Sequence, residues 1–216
     1  MQTEFARAQM ITQQIRAWDV LDERVLDAMR RTPREFFVPE RYAELAFADT
    51  GIPLLAGQHM LAPKIVGRLL QALDAQPGMR ALVIGAGTGY VPACLSVMGT
   101  SVRAIEIHAE LAAAARANLK RTGFEQVEVV TGDTFNLDMG KDYALIAVCG
   151  ALPLYDEIFA RALAVGGRLF VVTGDGIPQE ALLVTRTSET AWSSLGLFET
   201  AVDALENAKR PAPFRF

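Results

Sequence analysis

The stretch Ala81-Leu82-Val83-Ile84-Gly85-Ala86-Gly87-Thr88-Gly89-Tyr90 constrains the fold more than any other part of the chain. Four apolar residues without alternation read as a strand covered on both faces, and Tyr90 to Met98 reads as the helix that follows. Between them, Gly85 allows a sharp turn, and Gly87 and Gly89 let the backbone approach a ligand with no Cβ in the way. A strand that feeds a helix through a bare loop is the opening unit of a parallel α/β sheet.

The same alternation continues. Val102–Ile105 reads as a strand, Leu111–Arg121 as an alanine-rich helix ended by Gly123, and Val127–Val130 and Tyr143–Val148 as two more strands. A helix from about Leu154 to Leu163 is expected to stop at Gly166-Gly167, before a fifth strand at Leu169–Val172. Upstream, Ile11, Ile15 and Trp18 fall at i, i+4, i+7 and predict one face of a first helix. Asp22 predicts the N-cap of a second helix that buries Val25, Leu26 and Met29 and stops at Pro33. Pro63 suits the first turn of a third, through Ile65, Leu69, Leu70 and Leu73. Downstream, Ala181–Thr187 and Trp192–Val202 predict an antiparallel hairpin turned at Ser188-Glu189-Thr190. The expected architecture is a single domain, 1–216. It has a helical, substrate-side region at 1–76, a doubly wound, mostly parallel α/β core at 77–174, and a hairpin and tail at 175–216. The tail from Ala208, with Phe214 and Phe216, reads either as a loose end or as a strap on the body.

At 216 residues and 51% hydrophobic, the chain is long enough to bury a core. A formal net charge of −4 and no Lys/Arg run speak against nucleic acid or an anionic membrane as partner. The start of the sequence lacks a signal-peptide pattern, and no apolar run is long enough to span a bilayer. With only two cysteines and two histidines, none at zinc-ligand spacing, neither a disulfide framework nor a structural metal is expected. A reducing cytoplasm is the expected compartment.

The glycines read G-x-G-x-G. A dinucleotide loop favours G-x-G-x-x-G, and here Tyr90 stands at the third glycine position. No Gly-Lys-Ser/Thr follows, so this is not a phosphate-binding P-loop. The loop suits a nucleoside cofactor without a pyrophosphate. Glu106, directly after the second strand of the core, is placed to accept from ribose hydroxyls, and Asp133, after the third, from an adenine amino group. Alternatively, Glu106 caps the next helix and Asp133 shapes a turn. Cys149 ends the fourth strand and is expected to line the pocket as a small apolar residue. His108 is expected at a solvent-facing helix start.

Together, the glycine loop, the acid after the second strand and Gly132-Asp133 after the third resemble the class I, Rossmann-like methyltransferase pattern. Asp22-Glu23-Arg24-Val25-Leu26-Asp27-Ala28-Met29, Pro33-Arg34, Phe37-Val38-Pro39, Ala46 with Asp49, Pro53 and Gly57-Gln58 resemble the protein-L-isoaspartate O-methyltransferase family. The resemblance runs from about Asp22 to Gly174. It implies S-adenosyl-L-methionine as cofactor, held around Gly85, Ala86, Gly87, Thr88, Gly89, Glu106, Ile107, Asp133, Thr134 and Cys149. It also implies carboxyl methylation of isoaspartyl residues, the first step in repair of aged proteins, and hence a protein or peptide partner with an abnormal aspartyl carboxylate.

The family follows Gly-Gln with a Thr-Ile-Ser-Gln/Ala-Pro stretch whose serine hydroxyl serves the active site. This chain has Gln58-His59-Met60-Leu61-Ala62-Pro63, which puts Leu61 in the serine's place. Gln58, His59, Met60 and Leu61 are the substrate-side candidates. His59 is the catalytic candidate, either orienting an acceptor or taking its proton, or else a loop residue bonded to backbone. A carboxylate acceptor is already ionised at neutral pH and needs no general base. The departure at Leu61 leaves open a changed, small or protein, acceptor, or a descendant that binds a cofactor or partner without catalysis.

Overall fold

The computed structural model describes residues 2–212. It opens with α1 (Gln2–Gln9), which widens into a π-helical turn over Met10–Ile15 and tightens into a 3₁₀ turn over Arg16–Trp18. Ile11 and Ile15 are fully buried, but Trp18 is 38% exposed. The change of winding explains the departure from the expected single stripe, because positions stop repeating every 3.6 residues when the hydrogen bonding changes from i→i+4. In α2 (Glu23–Arg31) Asp22 is the N-cap, accepting from the Arg24 N–H at 2.9 Å, and Val25, Leu26 and Met29 are buried. A two-strand pair, β1 (Ile52–Pro53) and β2 (His59–Met60), lies in what the sequence reads as loop. α3 (Pro63–Leu73) begins on its proline. Gly67 on this helix packs so closely that a Cβ would stand 2.9 Å from Ile15 Cγ2.

The core alternates β3 (Arg80–Ile84), α4 (Tyr90–Val97), β4 (Ser101–Glu106), α5 (Ala109–Arg121), β5 (Glu128–Thr131), β6 (Tyr143–Leu152), α6 (Glu157–Arg161) and β7 (Leu163–Thr173). The hairpin β8 (Gln179–Arg186) and β9 (Trp192–Thr200) completes one seven-stranded sheet in the order β5-β4-β3-β6-β7-β8-β9. The pairs from β5 to β7 are parallel, and those from β7 to β9 antiparallel. β3 explains the layering. Ala81 and Val83 join a core with α3 and α4, while Leu82 and Ile84 join another with Phe159 of α6. Each fully buried Val, Leu or Ile there contributes roughly 1.5–3 kcal/mol.

Two boundaries differ from expectation. β6 runs on through Cys149-Gly150 to Leu152, which shortens α6 to five residues. Gly166-Gly167 do not stop a helix. They lie inside β7, where a Cβ on Gly167 would stand 2.8 Å from the Tyr143 carbonyl oxygen. After β9 the chain returns as a strap along the end of β6. Ala151 donates to Asp203 O at 2.7 Å and accepts from the Leu205 N–H at 2.8 Å. Lys209 Nζ lies 2.9 Å from Asp156 Oδ2. The tail therefore packs on the body as far as Arg210, which reaches Asp175 at 3.4 Å, while Phe214 and Phe216 lie outside the described residues.

Candidate active site

The strand order reverses at β3, with β4 and β5 on one side and β6 on the other. Open α/β sheets bind ligands in the crevice outside the carboxyl ends of strands at such a point. Here the crevice is formed by the glycine loop after β3 and by Cys149-Gly150 on β6.

The loop is held from both sides. Gly85 and Ala86 donate to Ile105 O at 2.9 and 3.1 Å, and Gly89 donates to Ala86 O at 2.9 Å. Gly85 and Gly87 have φ of +76° and +53°, in the left-handed region that a Cβ disfavours. Glu106, 4% exposed, fastens the loop to the next strand. Its Oε2 accepts from the Gly87 N–H at 2.8 Å and its Oε1 from the His108 N–H at 3.0 Å. A carboxylate offers about four acceptor positions. Two remain unoccupied by the protein, while the other two brace the loop.

Gly85, Ala86, Gly87, Thr88, Glu106, Ile107, Cys149 and the segment Gln58–Leu61 all line one cavity of about 80 Å3. Gln58–Leu61 and Cys149 also line an adjoining groove of about 670 Å3, with Trp18, Lys64, Ile177 and Phe198. Gly89, Asp133 and Thr134 lie outside the cavity lining. Gly89 serves packing, since a Cβ there would meet Leu119 Cγ at 3.2 Å and Ala115 O at 3.3 Å. The Asp133 carboxylate is engaged by the Phe135 N–H (2.9 Å), Asn136 Nδ2 (2.6 Å) and Asn207 Nδ2 (3.0 Å). Thr134 Oγ1 faces Met139 Sδ at 3.0 Å.

His59 stands at the junction of cavity and groove, with Nδ1 3.0 Å from Asp203 Oδ2 on the strap. His108 begins α5 as expected, but it lines the cavity instead of facing solvent. Its Nε2 is 2.9 Å from Glu206 Oε1, outside hydrogen-bonding geometry, and has no bonded partner. Burial pushes the Cys149 thiol up to about 12, with the nearby Glu106 charge adding to it, so it lines the site as a neutral thiol. Leu205 and Glu206 of the strap also line the cavity. No periodicity marks them in the sequence.

Arg34 lies beneath the site, fully buried. It donates from Nε to Ala46 O at 3.0 Å and from Nη2 to Leu61 O at 2.8 Å, and its guanidinium stacks on Tyr90 at 5.0 Å. Burial pulls its pKa below the ordinary guanidinium value, and the guanidinium remains a charged donor. It ties the Leu61 segment to the helix that follows the glycine loop.

A nucleoside methyl donor fits this lining chemically. Glu106 keeps free acceptor positions, and the buried Thr88 Oγ1 has no partner. Space is the constraint, because pockets for ligands of this size run to about 300–1,000 Å3. Leu205 holds the volume, with Cδ2 3.7 Å from where a Cβ on Gly85 would stand. Among the described residues no three His, Cys, Asp or Glu side chains gather as a metal-ligand set, and no helix is long and apolar enough to cross a membrane.

The fold matches a crystal structure from Plasmodium falciparum described as a protein-L-isoaspartate O-methyltransferase, solved with S-adenosyl-L-homocysteine. The TM-score is 0.80, with 93% of this chain and 98% of that one covered at 19% identity. At that identity the likeness is one of fold. A profile of the Protein-L-isoaspartate(D-aspartate) O-methyltransferase (PCMT) family matches residues 6–199, beyond both ends of the Asp22–Gly174 span that carries the motifs. The chain is 41% identical over 182 residues to the protein-L-isoaspartate O-methyltransferase of Koribacter versatilis, covering 83% of this chain and 81% of that one. It is 40% identical over 189 residues to its namesake in Aeropyrum pernix, with 85% and 73% covered. The chain belongs to the protein-L-isoaspartate O-methyltransferase family.

Proposed function

We propose that the crevice at Gly85–Thr88 seats S-adenosylmethionine, and that the adjoining groove presents an isoaspartyl carboxylate of a damaged protein to it. The observation that carries this reading is Glu106, buried at the end of β4, bonded to Gly87 and still offering acceptor positions in the cavity. Glu106 accepts from ribose hydroxyls, while the backbone of Gly85 and Gly87 approaches the ligand closely. Asp133 and Thr134 stand behind this edge, bonded within the protein. When bound, the cofactor supplies an electrophilic methyl group on a sulfonium with a neutral leaving group. The chain's own work is then alignment and exclusion of water, for which positioning is the main source of rate. A carboxylate acceptor arrives ionised, so no residue has to remove a proton.

A second reading, a changed small or protein acceptor, is favoured by Leu61, whose side chain offers no hydroxyl where the family has serine. Comparing wild type with Leu61→Ser on isoaspartyl peptides separates the two. Activity only in the Leu61→Ser variant favours a different natural acceptor. Cofactor seating is tested by calorimetry with S-adenosylhomocysteine and, as control, NAD. Binding of the former alone is expected, and no heat with it would remove the cofactor placement.

A further inference from the structure

We propose that His59, held by Asp203, is the hydrogen-bond donor that seats the acceptor carboxylate, in place of the hydroxyl that Leu61 lacks. The inference rests on the groove being the acceptor site, as read above. On the extended segment His59-Met60-Leu61, successive side chains alternate. All three line the cavity and the groove, but Met60 is buried while the His59 side chain is exposed. Within β2 the polar side chain is the His59 imidazole, beside Leu61 at the vacated serine position. Its Nδ1 faces Asp203 Oδ2 at 3.0 Å, which leaves Nε2 as the atom free to meet a substrate.

The protonation state decides what Nε2 does. A neutral ring that donates from Nδ1 to Asp203 presents a lone pair at Nε2, which repels a carboxylate. The imidazolium donates at both nitrogens, one to Asp203 and one to the acceptor. In the step itself a carboxylate oxygen forms a bond to the methyl carbon and the carbon–sulfur bond breaks, its electron pair staying on sulfur. No proton moves, and the Nε2–H remains on His59. Asp203 acts through His59 as a positioning residue.

Other charges face the same space. On the groove side they are Asp49, Glu199 and Lys64, with Lys64 Nζ paired to Asp49 Oδ2 at 2.8 Å. On the cofactor side they are Glu106, His108 and Glu206. The Cys149 thiol, at about 12, stays neutral throughout. His59 and His108 are the chain's two histidines, so one control variant separates them.

The test measures kcat and KM for methylation of an isoaspartyl peptide against pH, alongside the His59 ring signals by ¹⁵N NMR. KM is expected to rise with pH along the NMR titration of His59, with kcat little changed. His59→Gln raises KM roughly tenfold to a hundredfold, the worth of one charge-assisted hydrogen bond, and abolishes the limb. Asp203→Asn raises KM with kcat little changed, because the ring loses the carboxylate that orients it. His108→Gln keeps the limb. A kcat/KM that rises with pH along the His59 titration makes His59 a base and overturns the proposal. An unchanged KM in His59→Gln overturns it too. Calorimetry with S-adenosylhomocysteine on the wild-type protein is the separate check on cofactor seating, so the two failures are distinguishable.

Discussion

Replacing Glu106 by Gln changes no volume and removes one acceptor oxygen and a charge. In the structure the two carboxylate oxygens hold the N–H groups of Gly87 and His108 at 2.8 and 3.0 Å. A glutamine can keep one of these bonds. Its amide nitrogen then meets the other N–H donor to donor, leaving a buried group unpaired. Losing one hydrogen bond to a charged acceptor costs about 1.5–3 kcal/mol, and the surviving bond falls to roughly half its strength as a neutral pair. The sum is about 2–4 kcal/mol. For a chain of this size that lowers the melting temperature by roughly 4–16 °C. The ribose loses its charged acceptor as well, so affinity for S-adenosylhomocysteine falls by at least about tenfold. Calorimetry and thermal denaturation read the two effects separately. Wild-type affinity in Glu106→Gln would refute Glu106 as the ribose acceptor, and an unshifted melting temperature would refute it as the brace of the loop.

Three further predictions address other parts of the account. Leu205→Ala vacates space in the cavity, so S-adenosylhomocysteine associates faster in stopped-flow measurements; an unchanged rate would mean that the strap is not what limits the room. Gly67→Ala places a Cβ 2.9 Å from Ile15 Cγ2 and 3.1 Å from Val20 Cγ2, and overpacking there costs about 1–3 kcal/mol in urea denaturation; a neutral result would show that α3 and the π-helical turn separate easily. Arg24 bonds Asp22 Oδ2 at 2.6 Å and Asp74 Oδ1 at 2.7 Å, and this hydrogen bonding holds both carboxyls below the ordinary carboxylate range. Such groups stabilise the fold above about pH 4 and lose that contribution as pH falls through their depressed values. Arg24→Met therefore shows a smaller loss of melting temperature on acidification than wild type, and an equal loss would contradict the pairing.

The parts of the fold legible in the sequence are those whose signal is local. β3 and its glycine loop declare themselves because a doubly covered strand has no polar alternation, and Asp22 because an N-cap is read within three residues. α6 is misjudged because Gly166-Gly167 look like a helix stop, whereas Gly167 is required by the close approach of the Tyr143 carbonyl across the sheet. The wider winding at Met10–Ile15 is not encoded in periodicity, so Trp18 is assigned to the wrong side. In the site, Glu106 and Cys149 are read from strand ends, and Gln58–Leu61 from the family resemblance. Asp203, Leu205 and Glu206 are not, since they reach the crevice on a strap without regular structure. Asp203 meets His59 across 144 residues of chain. Asp133 looks like a ligand residue because it stands at the right strand end. Its contact with Asn207, from that same strap, is not legible.

The most direct test of the central claim is methyl transfer from labelled S-adenosylmethionine to a synthetic isoaspartyl peptide, beside the same peptide with a normal aspartyl linkage. A base-labile methyl ester is expected on the isoaspartyl peptide alone, with reduced transfer in Glu106→Gln at cofactor concentrations that just saturate the wild type. Equal labelling of both peptides, or none of either in a protein that binds S-adenosylhomocysteine, would contradict the claim.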